Sequence, residues 1–292
     1  MDTLPNVFQK VNRVRCFAHT LQLSANTLLR LFNAGMTQGA GDELLDAMAE
    51  EDKEDKDNDS VGGNDIEPHE DEGSEDEDET KETTEGADDP DDQINEMERM
   101  EDAERQQLLD DMSVVRTVVS KLRNLSFAII NSTTLALPAW WRICQEQGLK
   151  RRLIPHDVVT RWNSTFHMLQ FALKYHLAID AIMADRMLKL RKYKFEQEDW
   201  SIMEDLAAVL EQYKNATLYF SSDSVSICAV IPAMDRIDSC LNAHSNHPLH
   251  TSILAAMTLA QRKLNRYYSL TDMSAVYRIA MGESLLRLLP TH

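Results

Sequence analysis

The sequence predicts a mainly α-helical fold that is interrupted by one long acidic segment. Apolar residues recur at helical spacing through most of residues 111–292, and a shorter helical pattern lies near the N-terminus. Between the two, residues 41–110 are dominated by Asp and Glu and are poor in large apolar side chains. The hydrophobic fraction of the 292 residues, 43%, is enough for a globular core.

The first helical pattern runs from His19 to Leu31. Its apolar positions fall on one face, and Gly35 and Gly39 end it. Before it, apolar and polar residues alternate over residues 11–16, which indicates a short strand. We therefore expect residues 1–40 to form a strand followed by a helix.

The acidic segment carries most of the negative charge of the chain. Residues 42–111 contain 33 of the 49 acidic and 5 of the 30 basic residues, a net charge of −28. The remaining residues have a net charge of +9, which together with −28 gives the −19 of the chain. Such a composition buries too little apolar surface to offset its ordering entropy, so residues 41–110 are predicted to be disordered. The end of the segment, residues 95–109, lacks Gly and is alternatively a charged helix.

The helical patterns after the acidic segment predict a bundle-like stack. The clearest helix has its apolar face at every third or fourth position of residues 112–131. Asn163 or Ser164 is expected to cap a long helix that extends to Ile182. The other predicted helices span residues 139–147, 200–220, 227–241, with a possible kink at Pro232, and 253–268.

Cysteine usage and hydropathy exclude several classes of protein. The four cysteines form no disulfide framework, which favours a reducing compartment. No apolar run reaches the length of about 18 residues that a membrane span needs, and the N-terminus has no apolar signal core. We expect a soluble, intracellular protein. The net positive charge outside the acidic segment is compatible with phosphate contacts.

Several motifs in order carry a resemblance to a known family. Cys16 and His19 form a Cys-x-x-His pair before a Leu-rich helix. The run from Thr160 to Ser164, Thr-Arg-Trp-Asn-Ser, opens a helix that continues with Met168-Leu169. A Ser-rich turn with an Ile-Pro pair and the segment Lys-Leu-Asn-Arg-Tyr-Tyr follow. In this order and spacing, with the acidic segment removed, the chain resembles the transposases of the hAT superfamily and the domesticated proteins descended from them.

The resemblance implies a ribonuclease H-like α/β core that is split by a helical insertion. On this basis residues 1–40 would be part of that core, and residues 111–292 the helical region, truncated before the part that mediates dimerisation. The family's core uses three metal-binding acids, which lie in parts that we do not find here. Neither Asp2 nor Glu283 is convincing as one of these three metal-binding acids. Because strand transfer by two metal ions requires such carboxylates, we predict a degenerate or domesticated copy with no catalytic residue and no cofactor.

The resemblance also implies DNA contacts by Arg161 and Trp162. An indole can stack on an unpaired base, so Trp162→Ala would weaken binding to unpaired or hairpin DNA by about 1–3 kcal/mol. The alternative is a core Trp beside an Arg that pairs with Asp157. Lys150, Arg151 and Arg152 are predicted to bind phosphate in support. The alternative for them is a solvated loop that complements the end of the preceding helix.

Two clusters have the side chains of a metal site, but neither is predicted to bind metal. Cys16 and His19 have no partner pair at finger spacing, and a structural zinc site needs four ligands. The second cluster lies in a polar stretch that suits a loop between helices, namely Cys240, His244, His247 and His250. The remaining family-motif residues are Asp157, Thr160, Asn163 and Ser164.

Together these observations predict a nuclear DNA-binding protein that derives from an hAT transposase and does not transpose. One alternative is a protein-interaction module that recruits basic partners through the acidic segment. Another is a transposase relic without function. No membrane partner is expected, and the sequence leaves the oligomeric state open.

Overall fold

The computed structural model describes residues 14–33, 96–158, 161–221, 227–242 and 249–288. All of them belong to one compact unit, which comprises residues 1–33 and 95–292. Within these residues the structure is mainly helical and contains no strand, in agreement with the predicted mainly α fold. Of the predicted disordered segment, residues 41–110, residues 41–95 lie outside the described residues.

The described part of the chain contains ten α-helices. In chain order these are α1 (Phe17–Asn33), α2 (Asp102–Asp111), α3 (Ser113–Asn131), α4 (Ala136–Glu146), α5 (Trp162–Lys174), α6 (His176–Ala184), α7 (Gln197–Phe220), α8 (Val230–Asn242), α9 (Thr251–Asp272) and α10 (Ala275–Leu288). Short 3-10 helices span Glu96–Arg99, Arg186–Leu188, Leu190–Tyr193 and Ile227–Ala229. None of the described helices is both long and apolar enough to cross a membrane.

Helix α1 lies at the centre of the unit, as the spacing of its apolar residues requires. Leu21, Ala25 and Leu28 are fully buried. The helix contacts α3, α5, α7 and α9. The predicted helix is therefore confirmed, with its start at Phe17. Residues 14–16 form no strand, which corrects that part of the expected strand, and residues 11–13 lie outside the described residues.

A chain of buried hydroxyls joins α1 to two of its neighbours. The Ser24 hydroxyl donates to the carbonyl oxygen of Ala260 in α9 at 2.8 Å. The Tyr213 hydroxyl of α7 lies 2.9 Å from the Ser24 oxygen and donates to it. Burial raises the pKa of Tyr213, so the phenol stays protonated and keeps this role as donor. The network fixes the relative positions of the three helices, because a buried hydroxyl without a partner would be costly.

Helix α3 is a second central helix, in contact with several other elements of the unit. Its predicted apolar face is confirmed, with Val115, Leu122 and Leu125 fully buried. It packs against α1, α4 and α7 and against the 3-10 helix Leu190–Tyr193. Before it, Glu96–Arg99 form a 3-10 helix and Asp102–Asp111 form α2, so most of the end of the acidic segment adopts the charged-helix alternative.

The predicted long helix after the Thr-Arg-Trp-Asn-Ser motif is two helices. Helix α5 ends at Lys174 and α6 begins at His176, with Tyr175 between them. Neither Asn163 nor Ser164 is the N-cap, because α5 already begins at Trp162. Pro232 lies in the first turn of α8, where its missing N–H costs no intrahelical hydrogen bond.

Candidate nucleic-acid interface

A basic loop crosses the surface between α4 and α5. We call residues 149–158, together with Arg161, the anchored loop; Val159 and Thr160 lie outside the described residues. Its backbone has no regular secondary structure. The side chains of Lys150, Arg151, Arg152 and Arg161 are all exposed. The structure therefore brings the predicted basic triplet and the predicted arginine into one surface segment.

Two buried aromatic residues fix the backbone of the basic triplet. The indole N–H of Trp140 donates to the carbonyl of Arg152 at 2.9 Å, and Trp140 is fully buried. The hydroxyl of Tyr175 donates to the carbonyl of Lys150 at 3.0 Å. Burial raises the pKa of Tyr175, with a further rise from nearby Cys144, so its hydroxyl remains a donor at neutral pH. The basic side chains thus project from an ordered backbone.

Asp157 anchors the other end of the loop. Its carboxylate accepts hydrogen bonds from the Arg123 guanidinium of α3 at 2.5 Å. The other carboxylate oxygen lies 2.7 Å from the Ser164 hydroxyl and 2.9 Å from that of Thr165. The Asp157 side chain is 1% exposed and that of Arg123 is 9% exposed. Asp157 therefore ties α3 to the first turn of α5.

This arrangement corrects the expected partner of Asp157. The sequence suggested Arg161, four residues away, whereas the ion pair is made with Arg123, which lies 34 residues earlier in the chain. Ser164 completes the junction, because its oxygen accepts the N–H of Val158 at 2.8 Å. Ser164 and Asp157 of the family motif are thus structural. Asn163 is half-buried, and Thr160 lies outside the described residues.

Trp162 lies in the core and not at the surface. It is the first residue of α5, its side chain is 4% exposed, and its ring centroid is 6.2 Å from that of Tyr213. A ring enclosed in this way cannot stack on a base, so the stacking role predicted for Trp162 is corrected to a packing role. The alternative of a core Trp, which the sequence left open, matches the structure.

Arg161 precedes this buried ring and remains at the surface. Its N–H donates to the carbonyl of Val158 at 2.7 Å and closes a turn. Its own carbonyl accepts the N–H of Ser164 at 3.0 Å. Because Trp162 is held in the core, the position of the Arg161 backbone is set by packing. Of the two residues in the predicted pair, only Arg161 has an exposed side chain.

The electrostatics of the loop favour an anion. Its acidic residue, Asp157, is buried and paired, so the exposed charge comes from the four cations. Arg151 donates to the Gln145 side chain at 2.6 Å, which orients its guanidinium without neutralising it. His156 is also exposed in the same loop. The arrangement can bind phosphate groups by charge-assisted hydrogen bonds.

The predicted metal-type clusters have other roles where the structure describes them. No group of three or more His, Cys, Asp or Glu side chains that could hold a metal occurs among the described residues. Cys16 is exposed and His19 is half-buried, at the start of α1. The Nδ1 atom of His250 accepts the N–H of Ser252 and caps α9. Cys240 is half-buried near Gln212, whereas His244 and His247 lie outside the described residues.

A second basic segment was missed by the sequence analysis. Residues 186–194, between α6 and α7, contain five basic residues and no acid. A count of charge along the chain would have found them. Apolar periodicity does not mark the segment, because it forms short 3-10 helices in place of a long helix.

Comparison with known proteins covers this same region. Residues 92–209 match the family model described as the ZBED1 RNase-like helical domain. No similar curated protein and no similar solved structure was found. The matched residues include the whole anchored loop, its supports in α3 and α4, and the basic segment 186–194. The similarity is to this domain and covers less than half of the chain.

Proposed function

We propose that this protein binds DNA through phosphate contacts from the anchored loop. The observation that carries the proposal is the set of four exposed cations on a loop whose backbone accepts hydrogen bonds from two buried aromatic side chains. We also propose that the protein is nuclear and descends from an hAT-type transposase. The motifs that resemble that superfamily and the match over residues 92–209 support this origin.

The physical basis is the strength of phosphate contacts. Neutralisation of phosphates by Lys and Arg releases counterions, and this term supplies much of the affinity of proteins for DNA. An ordered loop loses less conformational entropy on binding than a flexible one, so its contacts contribute more. The net charge of −19 does not oppose this function, because residues outside 42–111 have a net charge of +9.

The burial of Trp162 narrows the proposed mode of binding. Contacts from Arg161, Lys150, Arg151 and Arg152 to phosphates would position the protein on DNA without reading its sequence. No step of this mode needs an unpaired base. The proposed binding is therefore strongly dependent on salt and weakly dependent on sequence.

The proposal is limited to binding and includes no strand transfer. In the hAT superfamily that chemistry depends on three metal-binding acids. We expect the purified chain to leave labelled DNA intact in the presence of Mg²⁺ or Mn²⁺. Nicking that requires the metal and is abolished by a chelator would contradict this part of the proposal.

The binding proposal is tested by removal of the basic triplet. We expect the full chain with Lys150→Ala, Arg151→Ala and Arg152→Ala to bind duplex DNA more weakly by roughly tenfold or more, because three phosphate contacts are lost. A matched control removes three exposed arginines from α8, α9 and α10, namely Arg236, Arg262 and Arg278. Affinity is measured by fluorescence anisotropy. Equal losses in the two variants would show a general charge effect and would contradict a site at the loop.

A second candidate function rests on the charge of residues 42–111. The 33 acidic residues in this stretch could recruit basic proteins. In that case the chain would bind a basic polypeptide such as polylysine, in a salt-dependent manner, and would be indifferent to DNA. The same anisotropy measurements, with labelled polylysine beside labelled duplex, separate the two functions.

A further inference from the structure

The basic segment 186–194 is a second cationic surface, and the proposed function makes no use of it. Its five cations, Arg186, Lys189, Arg191, Lys192 and Lys194, are all exposed. Met187 between them is 82% exposed, so the segment is not covered by other described residues. Five like charges within nine residues repel one another, which makes a bound polyanion favourable.

The core holds the backbone of this segment in place. Leu190 and Tyr193 are buried and lie at either end of the 3-10 helix Leu190–Tyr193. Side chains three residues apart are eclipsed in a 3-10 helix, so these two share the inner face. Arg191 and Lys192 therefore occupy the outer face. Phe195, which is 3% exposed, secures the C-terminal end of the segment.

The turn that precedes this helix is also specified. The side chain of Asp185 accepts the N–H of Met187 at 2.9 Å and caps the 3-10 helix Arg186–Leu188. Lys189 then takes a left-handed conformation, with φ 52° and ψ 19°. Such a conformation is unfavourable for a residue with a side chain and persists where the surroundings determine it. The segment is thus built with a defined shape.

Nearby carboxylates neutralise only part of the positive charge of the segment. The Lys194 ammonium pairs with Glu196 at 3.0 Å. The Lys192 ammonium lies 5.2 Å from the centroid of the Tyr193 ring, a cation–π contact that orients it without removing its charge. Among the described residues, no carboxylate lies within 4.0 Å of the Arg191 guanidinium or the Lys192 ammonium. These two cations are the strongest candidates for contact with a ligand.

We propose that the basic segment 186–194 is a second phosphate-binding tract, and that the DNA bound by the anchored loop also contacts it. This inference rests on the proposed function. Both tracts are supported by α3: the loop through Arg123 and Ser126, and the segment through the 3-10 helix Leu190–Tyr193. A phosphate backbone, with its evenly spaced anions, suits two cationic tracts better than an isolated acidic peptide does.

The test is a comparison of salt dependence in the full chain. Arg191→Gln with Lys192→Gln removes two charges and keeps most of each side-chain stem, including the stem beside Tyr193. If both residues contact phosphate, the plot of log affinity against log salt becomes shallower by about 1.8, because each contact contributes about 0.9. Between 50 and 200 mM salt the variant should then lose roughly tenfold less affinity for duplex DNA than the unmodified chain does.

Two further variants separate the possible outcomes. Arg236→Gln with Arg278→Gln is the matched control and should keep the original slope. The triplet variant carries Lys150→Ala, Arg151→Ala and Arg152→Ala. If its plot of log affinity against log salt becomes shallower but that of the Arg191/Lys192 variant does not, the second tract is disproved and the loop site stands. If neither variant changes the slope, the proposed function fails as well. Loss of binding to polyglutamate, with duplex binding unchanged, would assign the segment to an acidic polypeptide and overturn the inference.

Discussion

Replacement of Asp157 by Ala is expected to lower the free energy of unfolding by about 3–5 kcal/mol. The Asp157 side chain is 1% exposed and pairs with Arg123, which is 9% exposed. Removal of one member of a buried ion pair is among the most destabilising single changes in a protein. The Thr165 hydroxyl loses its carboxylate acceptor at the same time, and the Ser164 hydroxyl loses one of its three acceptors. A domain near the lower end of the typical range of about 5–15 kcal/mol would retain little of its stability.

A double-mutant cycle shows whether the ion pair is the cause. Arg123→Met removes the buried cation, so Asp157→Ala in that background should cost much less unfolding free energy than Asp157→Ala does alone. Asp157→Asn keeps an acceptor for the two hydroxyls, so its loss of unfolding free energy should be intermediate between the losses measured for the other Asp157 variants. Denaturant unfolding followed by circular dichroism gives the free energies. A loss below about 0.5 kcal/mol for Asp157→Ala, the size of an ordinary surface change, would refute a structural role for this residue.

Trp162→Ala is expected to lower the free energy of unfolding by about 3–5 kcal/mol, because it removes a large side chain from the core. The ring is 4% exposed and lies beside Tyr213, whose hydroxyl belongs to the network that joins α1, α7 and α9. Trp162→Phe should cost less, since it retains part of the packing. Under conditions in which Trp162→Phe is fully folded, its DNA affinity should equal that of the unmodified chain.

Arg161→Ala is the matched comparison for this prediction. The side chain is exposed, so the change should alter stability by less than about 0.5 kcal/mol and should weaken DNA binding. Comparison of the Trp162 and Arg161 variants therefore separates the effect of core packing from the effect of ligand contact. A folded Trp162 variant that loses binding selectively to hairpin DNA would restore the stacking role that the burial of the ring argues against.

The sequence could predict those helices in which apolar residues recur at regular helical spacing. Helices α1 and α3 follow from apolar residues at regular helical spacing, and the structure buries those residues. The break at Tyr175 could not be inferred, because apolar residues continue at helical spacing through it. Leu177 belongs to that pattern and yet is 63% exposed. Tyr175 lies between the two helices, and its hydroxyl donates to the carbonyl of Lys150, a contact made across 25 residues.

The candidate site was predictable in its charges but not in its contacts. Lys150, Arg151 and Arg152 could be identified as an exposed cluster from the sequence alone. Spacing within a motif suggests local partners, whereas Asp157 pairs with a residue of α3 that no local pattern indicates. Burial of Trp162 depends on α7, which lies far along the chain. Long-range packing therefore separates the structural members of the motif from the exposed Arg161.

The decisive measurement is a salt titration of the unmodified chain with duplex, single-stranded and hairpin DNA in the absence of added metal. Phosphate contacts from the four cations of the anchored loop predict that log affinity for duplex falls linearly with log salt, with a slope of about −3.6 or steeper. They also predict that hairpin DNA is bound no more tightly than duplex. Binding that resists salt and prefers unpaired bases, or the absence of any binding by the folded chain, would contradict the proposed interface.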